Sequence, residues 1–168
     1  MASELIYKEE INMAVPAHRV WKGIVLDSEN IIREIMPEAI KSIQVLEGDG
    51  RGVGTIQIVH FGEVSPMKTS KQRIDVIDEE NYIFQYTVLE IEDFDGLVDS
   101  VKKVIKIEPG SHPEGRSTVY KYTNTYYTKG EQHHSAIKDR IKDIAKKSET
   151  AFFKAAENYL LSHPDKYN

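Results

Sequence analysis

The chain has 168 residues, 40% hydrophobic and 29% charged, with a formal net charge of -5. That length accommodates one compact domain with one sizeable core, so residues 1–168 are expected to form a single unit. Cysteine is absent, which excludes disulfides, thiolate catalysis and thiolate metal sites and suits a reducing compartment. The negative balance argues against broad binding to a nucleic-acid backbone, which requires clustered basic charge.

No stretch approaches the roughly 20 uncharged apolar residues of a bilayer span. Glu4, Lys8, Glu9 and Glu10 put charges where a secretion signal would carry its apolar run. The expectation is a cytoplasmic protein with no membrane partner. No repeat or low-complexity tract suggests a solenoid or a linker.

Residues 4–13 alternate loosely and predict a strand. Pro16 stands where a helix can begin, because its missing N–H costs nothing there, and two short helices are expected over 16–26 and 28–36. Pro37 interrupts. An apolar run from Ile40 to Leu46 leads into Glu47 and a segment with four glycines between positions 48 and 54, which predicts a turn because glycine takes positive φ without strain. From Thr55 to Thr128 the period is two, with turns expected at 62–66, 78–81, 92–96 and 109–115, the pattern of an antiparallel meander. Over 131–161, Ile137, Ile141, Ile144, Ala145, Ala151, Phe152, Ala155, Ala156, Tyr159 and Leu160 recur at the spacing of one helical face. Such a helix, about 45 Å long, can cross a whole sheet. Strands in series with helices at the two ends point to an α+β layer fold, one long helix on one curved antiparallel sheet.

The motifs exclude more than they assign. A phosphate-binding loop needs a helix directly after its glycines, whereas Gly54 runs into the strand-like Thr55 to Phe61, so the glycines read as a hairpin turn. No histidine sits in a His-Glu-x-x-His arrangement, and His133 and His134 would diverge by about 100° on a helix. They read as surface histidines, and neither a metal site nor a cofactor is expected. Without Gly-x-Ser-x-Gly, and without cysteine, no catalytic nucleophile is assigned.

The strand faces carry more information. Lys71, Arg73 and Asp75 alternate with Ser70, Gln72, Ile74 and Val76, which puts the second set inward. Val101, Lys103, Ile105 and Ile107 share one face, as do Tyr120, Tyr122, Asn124 and Tyr126. Phe84, Tyr86 and Val88 line up similarly, and so do Gln57, Val59 and Phe61. On the helix, Ser148 falls on the stripe of Ile144 and Phe152. An inward face so aromatic and polar fits two arrangements: a hollow, tyrosine-lined pocket for an amphipathic ligand, or a filled core whose tyrosines reach water at the rim. Lys103 is open in the same way. It can snorkel to solvent, orient a ligand carbonyl or carboxylate, or, if enclosed, act as a base or Schiff-base amine.

The run Glu47-Gly48-Asp49-Gly50 with Val53-Gly54-Thr55, the later segments 71–78 and 127–130, and the terminal 157–168 together resemble the plant class ten pathogenesis-related proteins, the Bet v 1-like family of the birch major pollen allergen. The resemblance covers the chain in order. It implies a seven-stranded antiparallel sheet wrapped around a long C-terminal helix, two short helices closing one end, and a large internal cavity. It also implies binding of flavonoids, cytokinins, sterols, fatty acids or alkaloid precursors by a stress-related, often allergenic protein.

On that footing the expected function is a monomeric carrier or store for an amphipathic small molecule. Gln57, Gln72, Tyr86, Lys103, Tyr122 and Asn124 would set its orientation, with Ser70 and Ser148 also in the ligand-binding set. Phe61, Phe84, Ile105, Ile144 and Phe152 would supply the walls. The alternatives are an isomerase or condensing enzyme acting on a cavity-bound metabolite, and a ribonuclease, an activity claimed for some of the family. Of the family's proposed ribonuclease set only Glu157 and Tyr159 are matched, because Gln57 replaces a lysine. Arg51 makes the glycine loop one residue longer than usual, and Lys103 stands where many relatives are neutral. Residues 61–67 lack the gate of the hormone receptors, and the charged set of the condensing enzymes is not matched.

Overall fold

A computed structural model describes residues 3–63, 65, 67–92, 94–111 and 115–168, the side chains of Glu149 and Thr150 excepted. Val64, Pro66, Asp93, His112, Pro113 and Glu114, within three of the expected turns and the gate segment, lie outside the described residues.

Seven strands follow the expected alternation: β1 (Ser3–Met13), β2 (Ile40–Glu47), β3 (Ile56–Phe61), β4 (Thr69–Asp78), β5 (Ile83–Ile91), β6 (Val98–Pro109) and β7 (Thr118–Thr128). They form one sheet in the order β1-β7-β6-β5-β4-β3-β2, with every neighbouring pair antiparallel. Strands β2 to β7 are a meander, and β1 returns beside β7. The helices between β1 and β2 therefore span from one edge of the sheet to the other. These are α1 (Ala17–Arg19, continuing as π-helical Val20–Val25) and α2 (Ser28–Ile35). At the C-terminus α3 (His134–Ser148) passes through a π-helical segment, Glu149–Phe153, into α4 (Lys154–Ser162).

The glycine segment is the hairpin turn between β2 and β3. Gly48, Gly50 and Gly54 have φ of 86°, 90° and 91°, a region that side chains with a Cβ rarely occupy. The Asp49 Oδ1 accepts from the amides of Arg51 at 2.9 Å and Gly52 at 2.7 Å. The loop's own carboxylate thus occupies the amides that a phosphate would need.

Two stretches depart from the simple periods. Val76 points outward, 36% exposed, because a bulge between Ile74 and Val76 leaves Asp75 unopposed on β5. One extra residue flips all later side chains, so Ile77 turns inward and packs on the core in its place. Ala151 is exposed, whereas Phe153, off the expected stripe, is 9% exposed and packs in the core. The π-helical segment accounts for both, since an i→i+5 turn holds one residue more than an α turn and rotates the stripe.

The interior is split into two clusters. One joins Met13, Val20, Trp21, Ile31, Ile107, Tyr120, Phe153 and Leu160, at the end where α1, α2 and α4 meet the sheet. The other joins Leu5, Val88, Phe94, Val101, Tyr126, Ile137 and Ile141, beneath the first turns of α3. On β6, Val101 and Ile107 are 0% and 2% exposed, while Lys103 and Ile105 between them are only partly covered. Those intermediate positions face a space. Among the described residues no helix is long and apolar enough to cross a membrane.

Candidate functional site

Between the two clusters lies a cavity of about 680 Å³, bounded by the sheet, the middle of α3 with the π-helical segment, and α2. Its back wall follows from strand register. Tyr7 on β1 stands opposite Asn124 on β7, Asn124 opposite Lys103 on β6, and Lys103 opposite Tyr86 on β5. Directly opposed residues have Cβ atoms about 4.5–5.5 Å apart, so these four make one continuous polar row across four strands. Rows of Phe84, Ile105 and Tyr122 on one side and Val88, Val101 and Tyr126 on the other flank it.

Lys103 is the cation of the row. Its Nζ lies 5.9 Å from the ring centroid of Tyr86, and no ion pair with a carboxylate forms among the described residues. Tyr86 first, with a smaller contribution from Tyr126, holds the ammonium above the ordinary lysine range and outweighs the burial that would discharge it. It is therefore charged at neutral pH. Burial, followed by the neighbouring Tyr86 and Tyr122, pushes the Tyr120 phenol far above its usual range, so it is a neutral wall group. Asn124 is 8% exposed and lines the cavity. Its side-chain amide has no hydrogen-bond partner among the described residues.

Most residues singled out from sequence meet at this space. Gln57 and Gln72 oppose one another across β3 and β4, and both line the cavity with Tyr86, Lys103, Tyr122, Asn124 and Ser148. Phe61, Phe84, Ile105, Ile144 and Phe152 form apolar parts of the same wall. Ser70 is not on it. That serine is 4% exposed, paired with Ile91 near the start of β4, and its Oγ accepts from Gln72 Nε2 at 3.3 Å. Its inward parity agrees with its burial, but Val59 opposite it on β3 and Gln72 two residues on line the cavity in its place.

Several lining groups were not anticipated. Tyr7 joins the row because β1 lies beside β7, a relation that local periodicity does not contain. Leu26, Asp27, Glu29 and Ile32 from the α1–α2 region and Arg51 from the glycine loop form the mouth. Glu9 shares the inward parity of Leu5, Tyr7 and Ile11, a signal present in the sequence. It accepts the Tyr7 hydroxyl at 2.6 Å but lies outside the cavity lining.

The histidines form no metal cluster among the described residues. His134 is more than a surface residue: its Nε2 bonds Ser3 Oγ at 2.8 Å and Thr128 Oγ1 at 3.0 Å, tying the start of α3 to both β1 and β7. Glu157 and Tyr159 sit away from the cavity and are engaged elsewhere. Glu157 accepts from the Ala14 amide at 2.8 Å, and the Tyr159 hydroxyl accepts from Lys166 Nζ at 2.9 Å.

Comparison with known proteins agrees with this architecture. The chain is 38% identical over 163 residues to the major strawberry allergen Fra a 1.07 of Fragaria ananassa, covering 96% of this chain and 97% of that one. Its fold superposes on the crystal structure of Ara h 8.0201 with a TM-score of 0.73 at 30% identity, over 95% of this chain and 99% of the other. Norcoclaurine synthase from Thalictrum flavum has the same fold, with a TM-score of 0.72 at 20% identity over 96% of both chains. The sequence profile of the pathogenesis-related protein Bet v 1 family matches residues 2–163, and the chain belongs to that family.

Proposed function

We propose that residues 1–168 act as one domain that binds an amphipathic organic molecule within the cavity and carries or stores it. The observation that carries this reading is the interruption of the core: two filled clusters stand apart, and the space of about 680 Å³ between them is walled by aromatic, aliphatic and polar side chains. Ligand sites fall at about 300–1,000 Å³ with a few placed polar groups, which is the composition seen here. Burial of apolar ligand surface, at about 25 cal/mol per Å² before ordering costs, would supply the affinity. Gln57, Gln72, Tyr86, Lys103, Tyr122 and Asn124 would set orientation.

Two features favour carriage over turnover. The charged Lys103 lacks the free electron pair that a Schiff base or general base requires. Glu157 and Tyr159, matched to the ribonuclease set, lie outside the cavity lining and already hold other partners.

The test is titration with N-phenylnaphthylamine, a neutral fluorophore that brightens in apolar surroundings. Stoichiometric binding under native conditions, reversed by a flavonoid or a cytokinin, is expected. Absence of any fluorescence change would overturn the reading.

A further inference from the structure

The charges on the cavity wall are equal in number but are not paired with one another. Among the described residues its lining holds two acids, Asp27 and Glu29, and two bases, Arg51 and Lys103. Both acids are engaged. Asp27 accepts from Asn30 Nδ2 at 2.7 Å through one oxygen and from the Tyr167 hydroxyl at 2.6 Å through the other. Glu29 pairs with Arg33 at 3.1 Å. Glu9, on the same face of the sheet but outside the lining, holds the Tyr7 hydroxyl. Neither base has a carboxylate within ion-pair distance among the described residues.

Lys103 is the more telling of the two. An enclosed cation without a counter-ion costs several kcal/mol, yet this one stands between Val101 and Ile105 on a face where an aliphatic side chain would fit. Directly opposite, Asn124 presents a polar side chain with no hydrogen-bond partner among the described residues, 8% exposed and lining the same space. Directly opposed residues have Cβ atoms about 4.5–5.5 Å apart, and from Lys103 and Asn124 in that register an ammonium and an amide can both donate to one carboxylate. Charge-assisted hydrogen bonds of that kind are about twice as strong as neutral ones. The enclosed charge is single, so a monoanion balances it, whereas a phosphate monoester would carry surplus negative charge into an apolar space.

We propose that the guest of this cavity is an amphipathic organic acid whose carboxylate meets the Lys103 ammonium and the Asn124 side-chain amide, while its apolar body lies against Phe84, Ile105, Ile144 and Phe152. The proposal rests on the cavity-binding reading above and adds to it the charge and orientation of the ligand. Lys103 becomes the specificity determinant of this chain.

The experiment uses the full chain and a matched pair of probes, naphthylacetate and naphthylacetamide, which differ in charge and little in shape. Each displaces N-phenylnaphthylamine, and affinities are read from the competition curves. The wild-type protein is expected to prefer the carboxylate by about tenfold or more, the effect of one enclosed charge-assisted contact. Lys103→Met should reduce that ratio to about one, and Lys103→Arg, which keeps the charge, should retain a preference. Should Lys103→Met fold poorly, Lys103→Gln serves in its place. A wild-type ratio near one, or a preference that survives removal of the charge, overturns the proposal while leaving the cavity reading intact. Failure of the neutral fluorophore itself to bind would remove both.

Discussion

The guanidinium of Arg19 in α1 donates through Nη2 to the main-chain carbonyl of Leu160 at 2.9 Å, joining residues 141 positions apart. The same group reaches the carbonyls of His163 at 2.8 Å and Lys166 at 3.1 Å. A helix leaves its last carbonyls without internal partners, and its C-terminus attracts positive charge. The buried arginine therefore closes α4 and fixes the chain end beneath α1. Arg19→Ala should lower the unfolding free energy by about 2–4 kcal/mol, since buried acceptors lose their donors. Arg19→Lys should recover less than half of that, because one ammonium cannot reproduce the planar fork. Urea denaturation measures both, and a lysine variant as stable as wild type would contradict the account.

Asp49 makes the glycine loop sensitive to acid. Hydrogen bonds from the Arg51 amide first, and then the Gly52 amide, hold its carboxyl below the usual carboxylate range. A group whose folded pKa is depressed stabilises the fold above its unfolded value, and that contribution is lost as pH falls through the folded value. The amide resonances of Arg51 and Gly52 are therefore expected to move together as pH drops below the ordinary aspartate range. Asp49→Ala should show the acid-like positions already at neutral pH. A Gly52 amide indifferent to both acid and the substitution would show that the carboxylate does not order the loop.

How much of this was legible from the residues depends on the distance over which each signal acts. Strand parity is local, and it was enough to place Tyr86, Lys103, Tyr122 and Asn124 on one face. Parity fails where a backbone irregularity inserts a residue. The bulge at Asp75 turned Val76 outward, and the π-helical segment exchanged Ala151 for Phe153. Ser70 shows a different limit, because it is buried on the inward side but is covered where its neighbours Val59 and Gln72 reach the cavity, a tertiary property. The mouth was invisible for that reason too. Leu26, Asp27 and Arg51 come to one cavity wall only through the tertiary fold, and that fold also decides which charges are paired.

Asn124 sets ligand recognition against stability. Its side chain lines the cavity and has no hydrogen-bond partner among the described residues, and replacing such a polar group by an apolar one of similar shape is neutral to stabilising. Asn124→Leu should raise the unfolding free energy of the ligand-free protein by about 1 kcal/mol. It should also weaken naphthylacetate binding by about threefold to tenfold, the effect of one lost hydrogen bond. Thermal denaturation and the competition titration measure the two effects. A variant that is less stable than wild type and binds as well would mean that the amide is satisfied within the protein.

Arg51 and Lys103 should divide the kinetics of binding between them. Arg51 is exposed on the loop at the mouth, where a charge is screened by salt over about 8–10 Å and acts mainly on encounter. Lys103 lies inside, where a contact must break before the guest can leave. Arg51→Ala should slow association of naphthylacetate by about twofold to fivefold at low ionic strength and by little at physiological salt, with dissociation unchanged. Lys103→Met should speed dissociation and leave the salt dependence of association nearly intact. The double variant should combine the two effects additively, within about 0.5 kcal/mol, because Arg51 acts on the approaching guest and Lys103 on the bound one. Stopped-flow fluorescence at two ionic strengths separates these rates. If Arg51→Ala instead accelerates dissociation, the loop arginine touches the bound guest, and the carboxylate sits at the mouth and not on the polar row.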